Sequence, residues 1–259
     1  MAKTNYIELF EGKLAERIPI LYEDRSVIAI DKPPHWMLVP FSWQRTNRNL
    51  QAAVASSIAA GSFWARSRNL KYLHHVHRLD ADTTGILLFG KSVGAVKTYG
   101  ELFESRRMEK VYLAAVEGIP KSAEWSCALS LAPDPEEIGK MKVDARNGKE
   151  AETFFKVVES RDHKTLVEAH PISGRTHQIR VHLAESGHAV LGDPLYGSPL
   201  KTLETKRQAA LKFPIGLRAV SLSYGDPFER RRVRIEAPSE NFVREFGFKS
   251  WPAQLSSAK

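Results

Sequence analysis

The chain is nearly without cysteine. Cys127 stands alone among 259 residues, which excludes a disulfide framework and any zinc site built from thiolates, and suits a reducing cytoplasm. No apolar run approaches the roughly 20 residues needed to cross a bilayer as a helix, so no membrane span is expected. Met1 to Glu8 lacks the apolar stretch of a secretion signal. Phosphate loops of the G-x-x-x-x-G-K type, the G-x-G-x-x-G fingerprint, the H-E-x-x-H zinc motif and internal repeats are all missing. Acidic residues are also in short supply, with 30 against 38 lysines and arginines. A net charge of +8 favours a polyanionic partner, because every phosphate that is neutralised releases counterions. The plainer alternative is a basic surface kept for solubility.

What is present is organised around one stretch. His77-Arg78-Leu79-Asp80-Ala81-Asp82-Thr83-Thr84-Gly85 runs straight into Ile86-Leu87-Leu88-Phe89. Four apolar residues bounded by glycine and turn residues read as a fully buried strand, and the polar loop clamped to it is where chemistry is placed. Asp80 is the candidate catalytic carboxylate. Asp82 is its rival, expected in the turn on backbone amides.

The rest of the chain gives the frame. Residues 1 to 19 are mixed and polar and are expected as a flank, with residues 20 to 259 a single domain and no separate N-terminal domain. Val27-Ile28-Ala29-Ile30 is a strand ended by Asp31-Lys32-Pro33-Pro34. Residues 35 to 49 mix aromatic and basic side chains. They could stack and neutralise a single strand, or Trp36 and Trp43 could be core anchors. Leu50 to Ala60 has helical propensity, and Ser92 is placed to cap a helix whose inner face carries Val96, Tyr99, Leu102 and Phe103. His74, His75 and His77 raise a zinc reading, which the absence of a third ligand at helical spacing disfavours.

In the strand Lys110 to Gly118, alternation puts Tyr112, Ala114 and Val116 on one face, where the ring has room to meet a ligand or simply fills the core. Residues 120 to 150 show no clear periodicity. Strands follow over 151–158 and 165–169. Gly174 to Gly187 reads as a turn and helix, with Thr176 as cap, Ile179 and Leu183 facing the core, and Arg175 and Arg180 making a cationic edge. A helix over 201–211, a strand over 217–223, a strand from Arg230 and a closing helix over 242–248 complete the pattern.

Three motifs in order carry a resemblance. His77-Arg78-Leu79-Asp80 with Thr83 to Phe89, then Gly174 to Leu183, then Gly192-Asp193-Pro194-x-Tyr196-Gly197 together resemble the RluA-type pseudouridine synthases over about residues 20 to 238. The resemblance implies an α+β fold with a mainly antiparallel central sheet, flanking helices and a central catalytic cleft. It also implies isomerisation of uridine to pseudouridine in structured tRNA or rRNA by a cytoplasmic monomer, without metal or cofactor. Position by position, Asp80 is similar to the catalytic aspartate, Arg180 to the arginine that pairs with it and Tyr112 to the aromatic that stacks on the base. Arg78 and its neighbour His77 would hold the substrate open, Ile179 would wall the pocket and Arg175 would meet RNA. Alongside stands a non-catalytic RNA-binding protein on the same fold.

Overall fold

The computed structural model describes residues 3–11, 14–38, 48–197, 213–249 and 251. Trp43 with the rest of Phe41 to Asn47, and the helix expected over 201–211, lie outside the described residues.

One sheet of eleven strands carries the molecule. Its main path runs β1 (Tyr6–Glu11), β2 (Leu14–Glu23), β3 (Val27–Lys32), β5 (Thr84–Gly90), β12 (Leu217–Gly225), β6 (Glu109–Glu117), β11 (Lys164–Pro171), β10 (Glu152–Arg161), β7 (Glu124–Ala128). Strand β4 (His74–His75) pairs with β5, and β13 (Arg232–Glu236) with β12. Only the β5–β12 junction is parallel among the described strands of this sheet. A separate ribbon joins β8 (Leu131–Pro133) to β9 (Met141–Val143). Helices α1 (Leu50–Ala59), α2 (Phe63–Arg66), α3 (Val93–Glu104), α4 (Gln178–Glu185) and α5 (Glu240–Glu245) flank the strands, so the class is α+β.

Burial explains the pattern. Every residue of β5 is buried, as a strand covered on both faces must be, hence its unbroken apolar run. In β6 the alternation divides two cores. Val111, Leu113 and Ala115 pack with Phe242 and Phe246 beneath α5, while Ala114 and Val116, with Tyr112 beside them, pack with Ile179 and Leu183 of α4. The central strands thereby hold α4 opposite the loop that precedes β5.

Three expectations need correction. The supposed flank supplies two strands of the sheet, and the expected boundary at residue 19 falls inside β2. Ile7, Leu9 and Ile18 are at most 1% exposed, an alternation with Glu8 and Arg17 that polar composition concealed. Residues 120 to 150 hold β7, β8 and β9, two of them only three residues long and too short to show a period. Helix α4 starts later than expected: its cap is His177 at φ 53°, with no side-chain cap bond, instead of Thr176.

Candidate active site

The loop ahead of β5 is fastened from below. Lys32, fully buried at the end of β3, donates from Nζ to the carbonyls of Pro33 (3.1 Å), Ala81 (2.7 Å) and Thr83 (2.9 Å). Burial pushes its ammonium down to about 7, against the opposing charges of Asp82, Asp80 and Glu16. Three protons for three carbonyls is a complete match, and only the ammonium supplies it. The next anchor is Gly85, at φ 106° and opposite Ala219 in the parallel junction. A Cβ there would sit 2.1 Å from the Ala219 carbonyl oxygen, so no side chain fits.

Asp80 emerges from this loop with its side chain 25% exposed, facing α4. Arg180, in the first turn of α4 and buried, reaches it from Nη1 at 3.1 Å. The other two donors of the guanidinium are held by Asp193, Nε to Oδ2 at 2.6 Å and Nη2 to Oδ1 at 2.7 Å. Asp193 is itself fixed, since Oδ1 accepts the Leu195 and Tyr196 amides. Burial opposes the charge on Arg180, but the Asp193 hydrogen bonds and both carboxylate charges outweigh it and hold the guanidinium above its ordinary range. The result is a rigid cation shared between a sealed carboxylate and an accessible one.

His177 closes the other side of Asp80, Nε2 to Oδ2 at 3.8 Å, and its Nδ1 lies 2.9 Å from the Tyr196 hydroxyl. That hydroxyl accepts the Met141 amide at 2.7 Å, so Tyr196 ties His177 to the β8–β9 ribbon. Burial lowers the His177 pKa, more than the Asp80 charge restores, so the neutral ring is the form at neutral pH. The Tyr196 ring also lies under Arg180, 5.1 Å from the guanidinium carbon.

These groups open into a cleft of about 850 Å3. Tyr112 lines it from β6, its phenol held well above the ordinary range by burial and then by the Asp80 charge. Lys110, two residues earlier and therefore on the same face, lines it too, with Nζ on the Ser173 carbonyl at 2.8 Å and burial pushing its pKa down to about 8. Arg78 is exposed at the rim and makes no ion pair among the described residues. Arg175 lies at the rim as well, its Nε on the Glu150 carbonyl at 3.0 Å. Ile179 is buried and lines the floor beside Asp80 and Tyr112. His77 borders the cleft, but its Nε2 accepts the Leu88 amide at 3.1 Å and its ring stacks on Phe103, so it joins the loop to β5.

The site thus brings together Asp80, Arg180, Tyr112, Ile179, Arg78 and Arg175. Reasoning from sequence missed Asp193, Tyr196, His177, Lys110 and Lys32 as members. Asp193 and Tyr196 stood in a quoted motif but read as turn residues. Asp82 bonds His35 Nδ1 at 2.9 Å, where a bond to turn amides was expected. Among the described residues no group of histidine, cysteine and carboxylate side chains is arranged to hold a metal. The three neighbouring histidines are occupied elsewhere, His75 on Gln51 and His74 on the His75 carbonyl. Trp36 is a core anchor, fully buried with Nε1 donating to Glu16 at 2.9 Å.

A mainly antiparallel central sheet with flanking helices is the fold of known pseudouridine synthases. Two human proteins share it: RNA Pseudouridylate Synthase Domain Containing 1 (TM-score 0.65, 24% identity, 86% of this chain and 84% of that one) and Domain Containing 4 (0.65, 23%, 87% and 92%). Residues 26–185 match the RNA pseudouridylate synthase family model, and the chain belongs to that family. It is 33% identical over 226 residues to ribosomal large subunit pseudouridine synthase C of Yersinia pestis, covering 87% of this chain and 67% of that protein. To the dual-specificity RNA pseudouridine synthase RluA of Vibrio cholerae it is 33% identical over 183 residues, 70% and 69%. Human pseudouridylate synthase RPUSD2 is 34% identical over 184 residues, and the chain spans 32% of that protein's length. No helix among the described residues is long and apolar enough to cross a membrane.

Proposed function

We propose that this protein isomerises uridine to pseudouridine in structured RNA, ribosomal or transfer, with Asp80 as the reacting carboxylate. The observation that carries this is the pairing of an accessible Asp80 with a guanidinium locked by Asp193, facing Tyr112 across the cleft. Isomerisation breaks the glycosidic bond, turns the freed uracil and rejoins it through C5. Asp80 must be ionised and aimed, which the fixed Arg180 favours. The Tyr112 ring gives the base a surface to stack on, worth about 1–3 kcal/mol. A base inside a helix is out of reach, so the nucleotide flips at a cost of a few kcal/mol, and unpaired Arg78 is placed to fill the gap. The same reading has the protein act as a cytoplasmic monomer.

The purified protein is expected to release tritium from RNA labelled at uridine C5. Asp80→Ala should abolish release while RNA affinity stays within about threefold. Undiminished release by the variant removes Asp80 from the reaction. Binding without release by the wild type leaves a non-catalytic RNA-binding protein.

A further inference from the structure

At the opposite end of β5 from Asp80 lies a second concavity, of about 730 Å3, between the β2–β3 turn and the segment entering β4. Its cations are Lys3, Arg25, Arg68, Lys71 and Lys91, against two carboxylates, Glu23 and Asp24. Glu23 is the hub of a fixed floor. It accepts Arg68 Nε at 2.9 Å, Lys91 Nζ at 2.9 Å and Lys3 Nζ at 3.4 Å, and Arg68 also donates to the Thr4 carbonyl. Three cations on one carboxylate leave positive charge in excess, held in place by the sheet. Above this floor Arg25 and Lys71 are exposed and make no ion pair among the described residues. Tyr72 lines the same concavity.

The two sites are physically joined. Strand β4 pairs antiparallel with β5, His74 opposite Gly90 and His75 opposite Phe89, and the segment that contains it runs from the concavity at Tyr72 to the cleft at Asp80. Along this path the rings of Tyr72, His74 and His75 form a stack, with centroids 6.3 Å and 4.4 Å apart and planes within 17° and 24° of parallel. His75 lies at the cleft and Tyr72 at the concavity. A line of aromatic faces flanked by cations is the chemistry that holds a single nucleic-acid strand.

We propose that this concavity is a second RNA subsite, where Arg25 and Lys71 grip the phosphates of the strand flanking the target nucleotide and the Tyr72–His74–His75 rings carry its bases toward the cleft. This rests on the reading of the protein as an RNA-modifying enzyme. An acidic peptide or a free phosphate would meet the cations but leave the ring stack without a role, so the sugar-phosphate strand with its bases fits best.

The test is binding by fluorescence anisotropy with labelled oligouridine of about 15 nucleotides, against one of about 4. The double reversal Arg25→Glu/Lys71→Glu is compared with a charge-matched reversal at exposed positions elsewhere, Lys121→Glu/Arg244→Glu. The first pair should lose at least tenfold in affinity for the long probe and flatten its salt dependence by a slope of about 1.4, two phosphates at about 0.7 each. Tyr72→Ala should weaken the long probe about fivefold. The control pair should stay within about twofold on both probes. Wild-type affinity in Arg25→Glu/Lys71→Glu overturns the subsite, and so does an equal loss in the control. A wild-type protein that binds neither probe and releases no tritium defeats the parent reading as well, whereas release with unchanged long-probe binding in the first pair defeats the subsite alone.

Discussion

Arg180 has three donors in use on two carboxylates, and the geometry is one that only a planar fork can satisfy. Lysine at this position would keep the charge and lose the aim. Arg180→Lys is expected to lower the rate of tritium release about 100-fold, because small misplacements of a reacting group cost that much. Asp193→Asn removes the sealed partner and leaves a buried guanidinium half compensated, so it should lower the free energy of unfolding by about 3 kcal/mol in urea titration as well as slowing release. A variant that is slow but fully stable would show that Asp193 aims Arg180 without contributing to stability. At Tyr112, Phe preserves the ring and should retain most activity, while Ala should lose most of it. Equal losses would point to the hydroxyl instead. Asp80 and Arg180 could be read together because each stood in a quoted motif, whereas Tyr112 was reached only through strand alternation and the resemblance. Asp193 was not legible, since a Gly-Asp-Pro sequence reads as a turn, and only the tertiary fold brings its carboxylate to a helix thirteen residues back. Lys32 was hidden for a related reason: a lysine after a strand looks solvated until the loop carbonyls that surround it are known.

Among the elements, β5 was the easiest to read and the one on which most depends. Its apolar run announced burial on both faces, yet the sequence gives no sign that its parallel neighbour would be a strand some 130 residues later, because pairing partners leave no local trace. Gly85 marks the contact. Gly85→Ala would force a methyl into the Ala219 carbonyl while straining a left-handed backbone, so it should cost several kcal/mol and yield little folded protein. Near-native stability on urea titration would mean that β5 and β12 can separate without loss. The short strands of residues 120 to 150 and the β1–β2 hairpin show the converse. Edge elements of three to six residues with charged faces lie close to the composition of loops, and neighbours in space supply what the local pattern does not.

At the scale of the whole molecule, stability is tied to pH through two histidines beside the Asp80 loop. Burial, then the Lys110 and His75 charges, push His77 from 6.5 down to about 3. Burial, then His74 and Arg78, push His75 down to about 4. Below pH 6.5 the unfolded chain takes up protons on these rings that the folded chain refuses, so stability should fall as pH drops from 6.5 toward 4 and be fully present above 6.5. The slope is bounded by about 1.4 kcal/mol per pH unit for each ring and is smaller where the ring meets solvent. Urea titrations at pH 7 and pH 5 should show this fall in the wild type and a shallower one in His77→Asn; equal slopes would mean that other groups govern it.

The parallel junction also governs the order in which the molecule can be completed. Strand β12 sits in the middle of the sheet but is made long after β5 and β6, the two strands it must separate. A nascent chain that has not yet reached Leu217 therefore carries the open edge of β6 and the unpaired start of β5, which cannot satisfy each other in the native arrangement. Its vulnerable interval, when a chaperone has most to protect, lasts until Leu217 to Gly225 have left the ribosome.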